Sequence, residues 1–224
     1  VRIIFTFDDG KKSQISFWNK VGIPGTYFIL PEHTELKTRF SSRTDVDVCT
    51  WGEVRLLAKS NEIGFHGYSV RYEKWGDERT KKEIRRHLDL FKEEIGTTPV
   101  SYSYTNMQDF RIPIIKQFFP YVRDYFWRDL KKIDNKEDYI LRMSDSKVPD
   151  NMKPYRKKIF CMHPSRNPVQ MFKRLKRVRD AGYEYCVIIF HDIDKEIILI
   201  GQLIGATYDC ITFREIFKKK EELK

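Results

Sequence analysis

The sequence predicts an α/β fold, a parallel sheet or barrel with strands inside and helices outside, and three observations carry that prediction. Short apolar runs alternate with amphipathic segments along the chain, as in repeated βα units. No Gly/Ser-rich linker or composition shift interrupts the alternation, so the 224 residues read as one domain over 1–224. Hydrophobic residues make up 41% and aromatic ones 14% of the chain, enough for a substantial core and incompatible with wholesale disorder.

Taken in order, strands are expected at 2–7, 26–30, 62–65, 100–104, 121–126, 139–143, 158–162, 185–190 and 209–213. The clearest helix covers 81–95, where Ile84, Leu88, Phe91 and Ile95 recur on one face. Thr80 with Glu83 reads as its capping box and Gly96 as its stop. A second helix over 169–181 places Met171, Phe172, Leu175 and Val178 on one side, and a third covers 195–203. The stretch 129–155 is the least regular and most polar, and reads as an inserted loop or peripheral hairpin.

Several function classes are excluded. No apolar run approaches the roughly 18 residues that cross a bilayer. The N-terminus opens into a strand and not a signal peptide, so a cytoplasmic protein without a transmembrane segment is expected. Cys49, Cys161, Cys186 and Cys210 show no CxxC spacing, which points to neither a zinc ribbon nor a disulfide scaffold. The formal charge of +10 favours weak attraction to anionic surfaces. Its basic runs read as solvated faces without an aromatic RNA-binding signature, so no nucleic-acid partner is expected.

In parallel α/β architectures the ligand site lies at the carboxyl ends of the strands. The residues there are Asp8, Asp9 and Gly10, then Glu32 and His33, His66, Tyr104 and Thr105, His163, and finally His191 and Asp192. Two adjacent carboxylates ending a buried strand repel each other unless compensated, and a bound cation is one remedy. One carboxylate can then hold a metal while the other acts on a water or substrate beside it. An Asp-Asp-Gly turn opening the next helix is the plainer alternative. His87 sits mid-helix beside the apolar stripe and reads as structural.

These residues resemble the NodB-homology polysaccharide deacetylases. Thr6-Phe7-Asp8-Asp9-Gly10 is similar to the family's opening motif, and Ile23-Pro24-Gly25-Thr26-Tyr27-Phe28 to its second strand. Glu62-Ile63-Gly64-Phe65-His66-Gly67-Tyr68-Ser69 resembles its histidine motif, and Ile188-Ile189-Phe190-His191-Asp192 its closing one. The resemblance implies a distorted (β/α) barrel of about seven parallel strands. It also implies removal of acetyl groups from acetylated sugars, with Asp8 as general base, His191 as general acid, and Asp9 and His66 as ligands of a divalent metal, zinc being the expected one.

Two departures stand out. Where the family places a second ligand histidine, four residues after the first, this chain has Val70. Where its third motif carries an arginine that orients the base, the stretch Val100-Ser101-Tyr102-Ser103-Tyr104-Thr105 offers Ser103, and Arg111 lies nearby out of register. His33 is the favoured third ligand, ahead of Glu32, Asp192 and His163, because the second strand should neighbour the first. His163 competes with His191 for the acid role. A metal-dependent deacetylase acting on a glycan or acetylated sugar is therefore expected. The alternatives are a weakened relative that binds a glycan through Trp51, Trp75, Tyr104 or Trp127, and a basic nucleic-acid-binding protein.

Overall fold

A computed structural model describes residues 1–39, 47–67, 75–104, 112–123 and 158–218. Eight strands are present among them: β1 (Arg2–Phe7), β2 (Thr26–Ile29), β3 (Glu62–His66), β4 (Ser101–Ser103), β5 (Tyr121–Arg123), β6 (Ile159–Met162), β7 (Tyr185–Phe190) and β8 (Cys210–Ile211). Seven run in the order β5-β4-β3-β2-β1-β7-β6, every neighbouring pair parallel, and β8 adds parallel to β1 beside that path. The seven form a curled half-barrel, the distorted (β/α) barrel expected from the sequence.

The helices are α1 (Ser13–Val21), α2 (Pro31–Arg39), α3 (Trp51–Leu57), α4 (Asp77–Ile95), α5 (Ile112–Phe118), α6 (Pro168–Asp180), α7 (Lys195–Thr207) and α8 (Glu215–Lys218). Helix α4 starts earlier than the expected 81. Gly76 is its N-cap, Asp77 and Glu78 occupy its first turn, and Thr80 bonds back to the Gly76 carbonyl at 3.0 Å instead of capping. The reciprocal capping box lies at α3, between Thr50 and Glu53. The expected strand at 139–143 and loop at 129–155 lie outside the described residues. All four cysteines are free.

Period-two alternation divides each strand between two faces. Ile3, Phe5 and Phe7 of β1, Tyr27 and Ile29 of β2, Ile63 and Phe65 of β3, and Cys186, Ile188 and Phe190 of β7 join one apolar cluster with the buried faces of α1, α3, α4, α6 and α7. The alternate residues face the concave side, where Ile4, Phe28, Cys161, Val187 and Ile189 pack with Phe213, Ile216 and Phe217 from the C-terminal turn and α8.

Polar residues on that concave side sit in two layers. At the amino ends of the strands, the buried Glu62 carboxylate accepts from Ser101 Oγ at 2.6 Å, Thr26 Oγ1 at 2.9 Å and the Arg214 N–H at 2.8 Å. Thr26 Oγ1 in turn accepts from the Phe213 N–H at 2.8 Å, so these four bonds pin the chain after β8 against the end of the barrel. Between the layers the Phe28 ring lies over Gly64, where a Cβ would approach within 2.5 Å of it.

Burial pushes the Glu62 carboxyl above its ordinary value despite the three donors. A raised folded-state value means that the stabilising contribution is complete below the unfolded value and is lost as pH rises through the folded one. Glu62→Gln is therefore expected to gain stability relative to wild type as pH climbs through that window. Glu62→Ala, which strips three donors of their acceptor, is expected to cost about 3 kcal/mol. Denaturant unfolding between pH 4 and 8 checks both.

Candidate active site

The opposite, carboxyl-end layer gathers the strand-end carboxylates and histidines. Continuing the inward-facing series of each strand brings Asp8 after β1, His66 at the end of β3, Ser103 at the end of β4, Arg123 at the end of β5, and His191 after β7 to one mouth. Registers His66↔Ser103 and Ser103↔Arg123 set the last three elements side by side.

Asp8 is buried, 1% exposed. Its Oδ1 accepts a short hydrogen bond from Arg123 Nη2, the same nitrogen that donates to Ser103 Oγ at 2.5 Å. The guanidinium lies over the Phe28 ring, 4.8 Å from its centroid. The other carboxylate oxygen faces His191, whose Nε2 lies 3.7 Å away, beyond hydrogen-bond range. Burial is the largest single influence on Asp8 and pushes its pKa up. Arg123, with help from His66 and His191, outweighs it and holds the carboxyl below its ordinary value, ionised at neutral pH.

Gln14 of α1 stitches the two central strand ends together. Its Nε2 donates to the Asp8 carbonyl at 2.5 Å and to the His191 carbonyl at 3.1 Å. Below it Phe7 stacks between Tyr27 (4.4 Å, 12°) and Phe190 (5.2 Å, 18°), an aromatic layer that supports the ends of β2, β1 and β7.

Asp9 and Gly10 turn the chain in the left-handed region, at φ +70° and +62°. Aspartate tolerates that region better than most side chains. At Gly10 a Cβ would also meet Ile29 Cδ1 at 3.0 Å. The turn sends Asp9 away from Asp8 and toward His66, with Asp9 Oδ1 3.2 Å from His66 Nε2. The other imidazole nitrogen, Nδ1, lies 3.1 Å from the Ser103 carbonyl, which can only accept, so Nδ1 carries a proton. Burial raises the Asp9 carboxyl, but the His66 hydrogen bond and charge, His191 and Lys11 together hold it low.

This pair suits a divalent cation. A carbonyl fixing the histidine tautomer so that Nε2 points at a carboxylate is the usual outer support of a metal-binding imidazole. It supplies two donors where catalytic zinc sites use three. His33 lies in the first turn of α2, half buried. Among the described residues no group of three His, Cys, Asp or Glu side chains is placed to hold a metal, so His33 does not join Asp9 and His66 there. Val70 lies outside the described residues.

The remaining sequence expectations divide as follows. His163 stacks on His191 with ring centroids 5.7 Å apart, and burial, then the neighbouring His191, lowers its pKa, while a backbone hydrogen bond to Ile189 opposes the shift. His191 Nε2 stands 3.7 Å from Asp8, and Asp8 also acts electrostatically on His163. His87 is buried against Phe65, its pKa pushed down to about 3 by burial and then Arg86, in keeping with a structural role. Trp51 and Tyr104, each 2% exposed, are packed in the core and present no face to a sugar; this corrects their proposed stacking role. Trp75 is half buried beneath Arg79, and Trp127 and Arg111 lie outside the described residues. Sequence reasoning missed Gln14 and Arg123. An arginine closing a short apolar run was the available signal for the second.

Comparison with known proteins finds a likeness to polysaccharide deacetylases over the first part of the chain and in the fold. The polysaccharide deacetylase family model matches residues 2–109. Similar solved structures include a candidate polysaccharide deacetylase from Mycobacterium smegmatis (14% identity, TM-score 0.60, 99% of this chain and 90% of that one). Others are the peptidoglycan deacetylase PdaC from Bacillus subtilis (20%, 0.53, 99% and 93%) and a family 4 acetyl xylan esterase from Clostridium thermocellum in complex with a cobalt ion (17%, 0.52, 99% and 92%). No curated protein matches in sequence. The family match and the barrel are consistent with a divergent member of the NodB-homology polysaccharide deacetylases. Arg123 and His191 lie beyond the matched stretch and enter the site through the tertiary structure.

Removing one partner of a buried ion pair strands the other. Arg123→Ala is therefore expected to destabilise the fold by about 3–5 kcal/mol, and adding Asp8→Asn to recover most of that loss. Denaturant unfolding of the two single variants and the double variant at pH 7 measures the coupling.

Proposed function

We propose that the chain is a metal-dependent hydrolase that removes acetyl groups from an N-acetylated sugar or related amide. The observation that carries this reading is the convergence of an arginine-held Asp8, the Asp9–His66 pair and His191 at one end of the barrel. Family and fold support the deacetylase class. Metal dependence is supported by the donor chemistry of Asp9 and His66 and by the cobalt complex of one structural neighbour.

Asp9 and His66 would hold the cation, whose contribution is Lewis acidity toward the acetyl carbonyl oxygen and the attacking water. Asp8 is the general base. Arg123 fixes Oδ1, which leaves Oδ2 to take the proton from water as its oxygen attacks the acetyl carbon. His191, across a 3.7 Å gap from Oδ2, is placed to donate a proton to the departing nitrogen, so that acetate and a free amine leave. His163 packs against the His191 ring and Gln14 holds its backbone, which together limit its orientation.

One observation favours a second reading, a weakened relative that binds glycan without efficient turnover: among the described residues no more than two metal donors are gathered. Acetate release from chitooligosaccharides and peptidoglycan fragments with added Zn2+ or Co2+ separates the two. Asp8→Asn and His191→Ala are each expected to cut kcat by about 10²–10⁴. Wild type indistinguishable from Asp8→Asn across that panel, with glycan binding retained, would replace the hydrolase by the binding protein.

A further inference from the structure

The residue after the Asp8-Asp9-Gly10 turn is a lysine, and its ammonium is part of the site. Lys11 Nζ lies 2.7 Å from Asp192 Oδ1 and 4.0 Å from Asp9 Oδ2. Asp9 is thus shared, one oxygen turned to His66 and the other to a fixed cation. The position is anchored through the main chain: Lys11 pairs with Val48 in an antiparallel bridge, and the Cys49 N–H donates to the Gly10 carbonyl at 2.8 Å. Side-chain replacement at Lys11 leaves those contacts in place. Asp192 follows His191, so this ion pair also ties the turn after β1 to the end of β7.

A positive charge beside a two-donor site opposes a second cation there. We propose that Lys11 is a built-in competitor for the metal. Its ammonium partly neutralises Asp9 and lowers the affinity of the Asp9–His66 pair for a divalent ion, while Asp192 restrains it from closing fully on Asp9. Divalent binding then requires Lys11 to be held at Asp192, and the site takes up metal weakly and reversibly. The proposal rests on the metal-binding reading of Asp9 and His66 given above.

The test uses Co2+ alone as probe, read by isothermal titration and by the visible absorption of the bound ion, on the full chain without substrate. Lys11→Met is expected to tighten Co2+ binding about tenfold, the order that removing a nearby like charge supplies at a partly exposed site. Asp192→Asn is expected to weaken binding by a similar factor. Lys12, whose Nζ pairs with Glu53 at 3.4 Å, is the control for bulk charge, and Lys12→Met is expected to leave the affinity within twofold.

Should Lys11→Met fail to fold by circular dichroism, Lys11→Gln decides. An affinity unchanged or weakened in the Lys11 variant, or moved equally by Lys12→Met, overturns the proposal and leaves the metal site standing. No Co2+ binding in wild type or in any variant at millimolar metal overturns the metal site, and the proposal with it.

Discussion

The buried contact between Asp8 and Arg123 is the constraint on which the arrangement of this site depends. A carboxylate 1% exposed at the end of a central strand is sustained only by an equally buried partner charge. The partner comes from β5, four strands along the sheet from β1, and reaches Asp8 over Ser103 of β4. A smaller inward residue at the end of β4 leaves the path open. Phe28 supports the guanidinium from below, and Gly64 makes room for that ring. One ion pair thereby links the positions of β1, β2, β3, β4 and β5.

The concave side is polar at both ends and apolar between. At one end Glu62 collects three donors and holds the C-terminal turn; at the other Asp8 and Arg123 compensate each other beside an imidazole–carboxylate pair. The two ends have opposite electrostatic characters. Burial dominates at Glu62 and raises its carboxyl, while at Asp8 and Asp9 burial is the largest single influence but is outweighed by the neighbouring Arg123, His66, His191 and Lys11 groups together, which hold both carboxyls low. The first end holds the chain after β8. Lys11 adds a further positive charge to the mouth, where it meets Asp9 and Asp192.

Much of this was legible beforehand because a strand's face is encoded by parity. Ile4, Thr6 and Asp8 share a side, as do Glu62, Gly64 and His66, and the strand ends at 8, 66 and 191 follow directly from the apolar runs. The arginine was not legible, because its match to Asp8 depends on strand order. Local sequence around Ser103 shows only a missing arginine, and the replacement lies 20 residues on. His33 misled for a related reason. Its strand does neighbour β1, but the chain turns at once into α2, so nearness of strands did not carry the side chain to the Asp9–His66 pair. The helix start at Asp77 escaped notice because the Thr80–Glu83 pattern satisfies the capping rule while the helix already runs through it.

By itself the amino-acid order determined the alternation of strands and helices, the inward parity of the polar residues and the identity of the four strand-end groups at 8, 9, 66 and 191. These are consequences of local periodicity and of where each apolar run stops. The tertiary structure alone decided which charge balances Asp8, that His191 stands 3.7 Å from it, that Trp51 and Tyr104 are core, and that Lys11 stands beside Asp9. Each of those depends on distances across several strands, which pairing order and the left-handed turn at Asp9 set and no local pattern records.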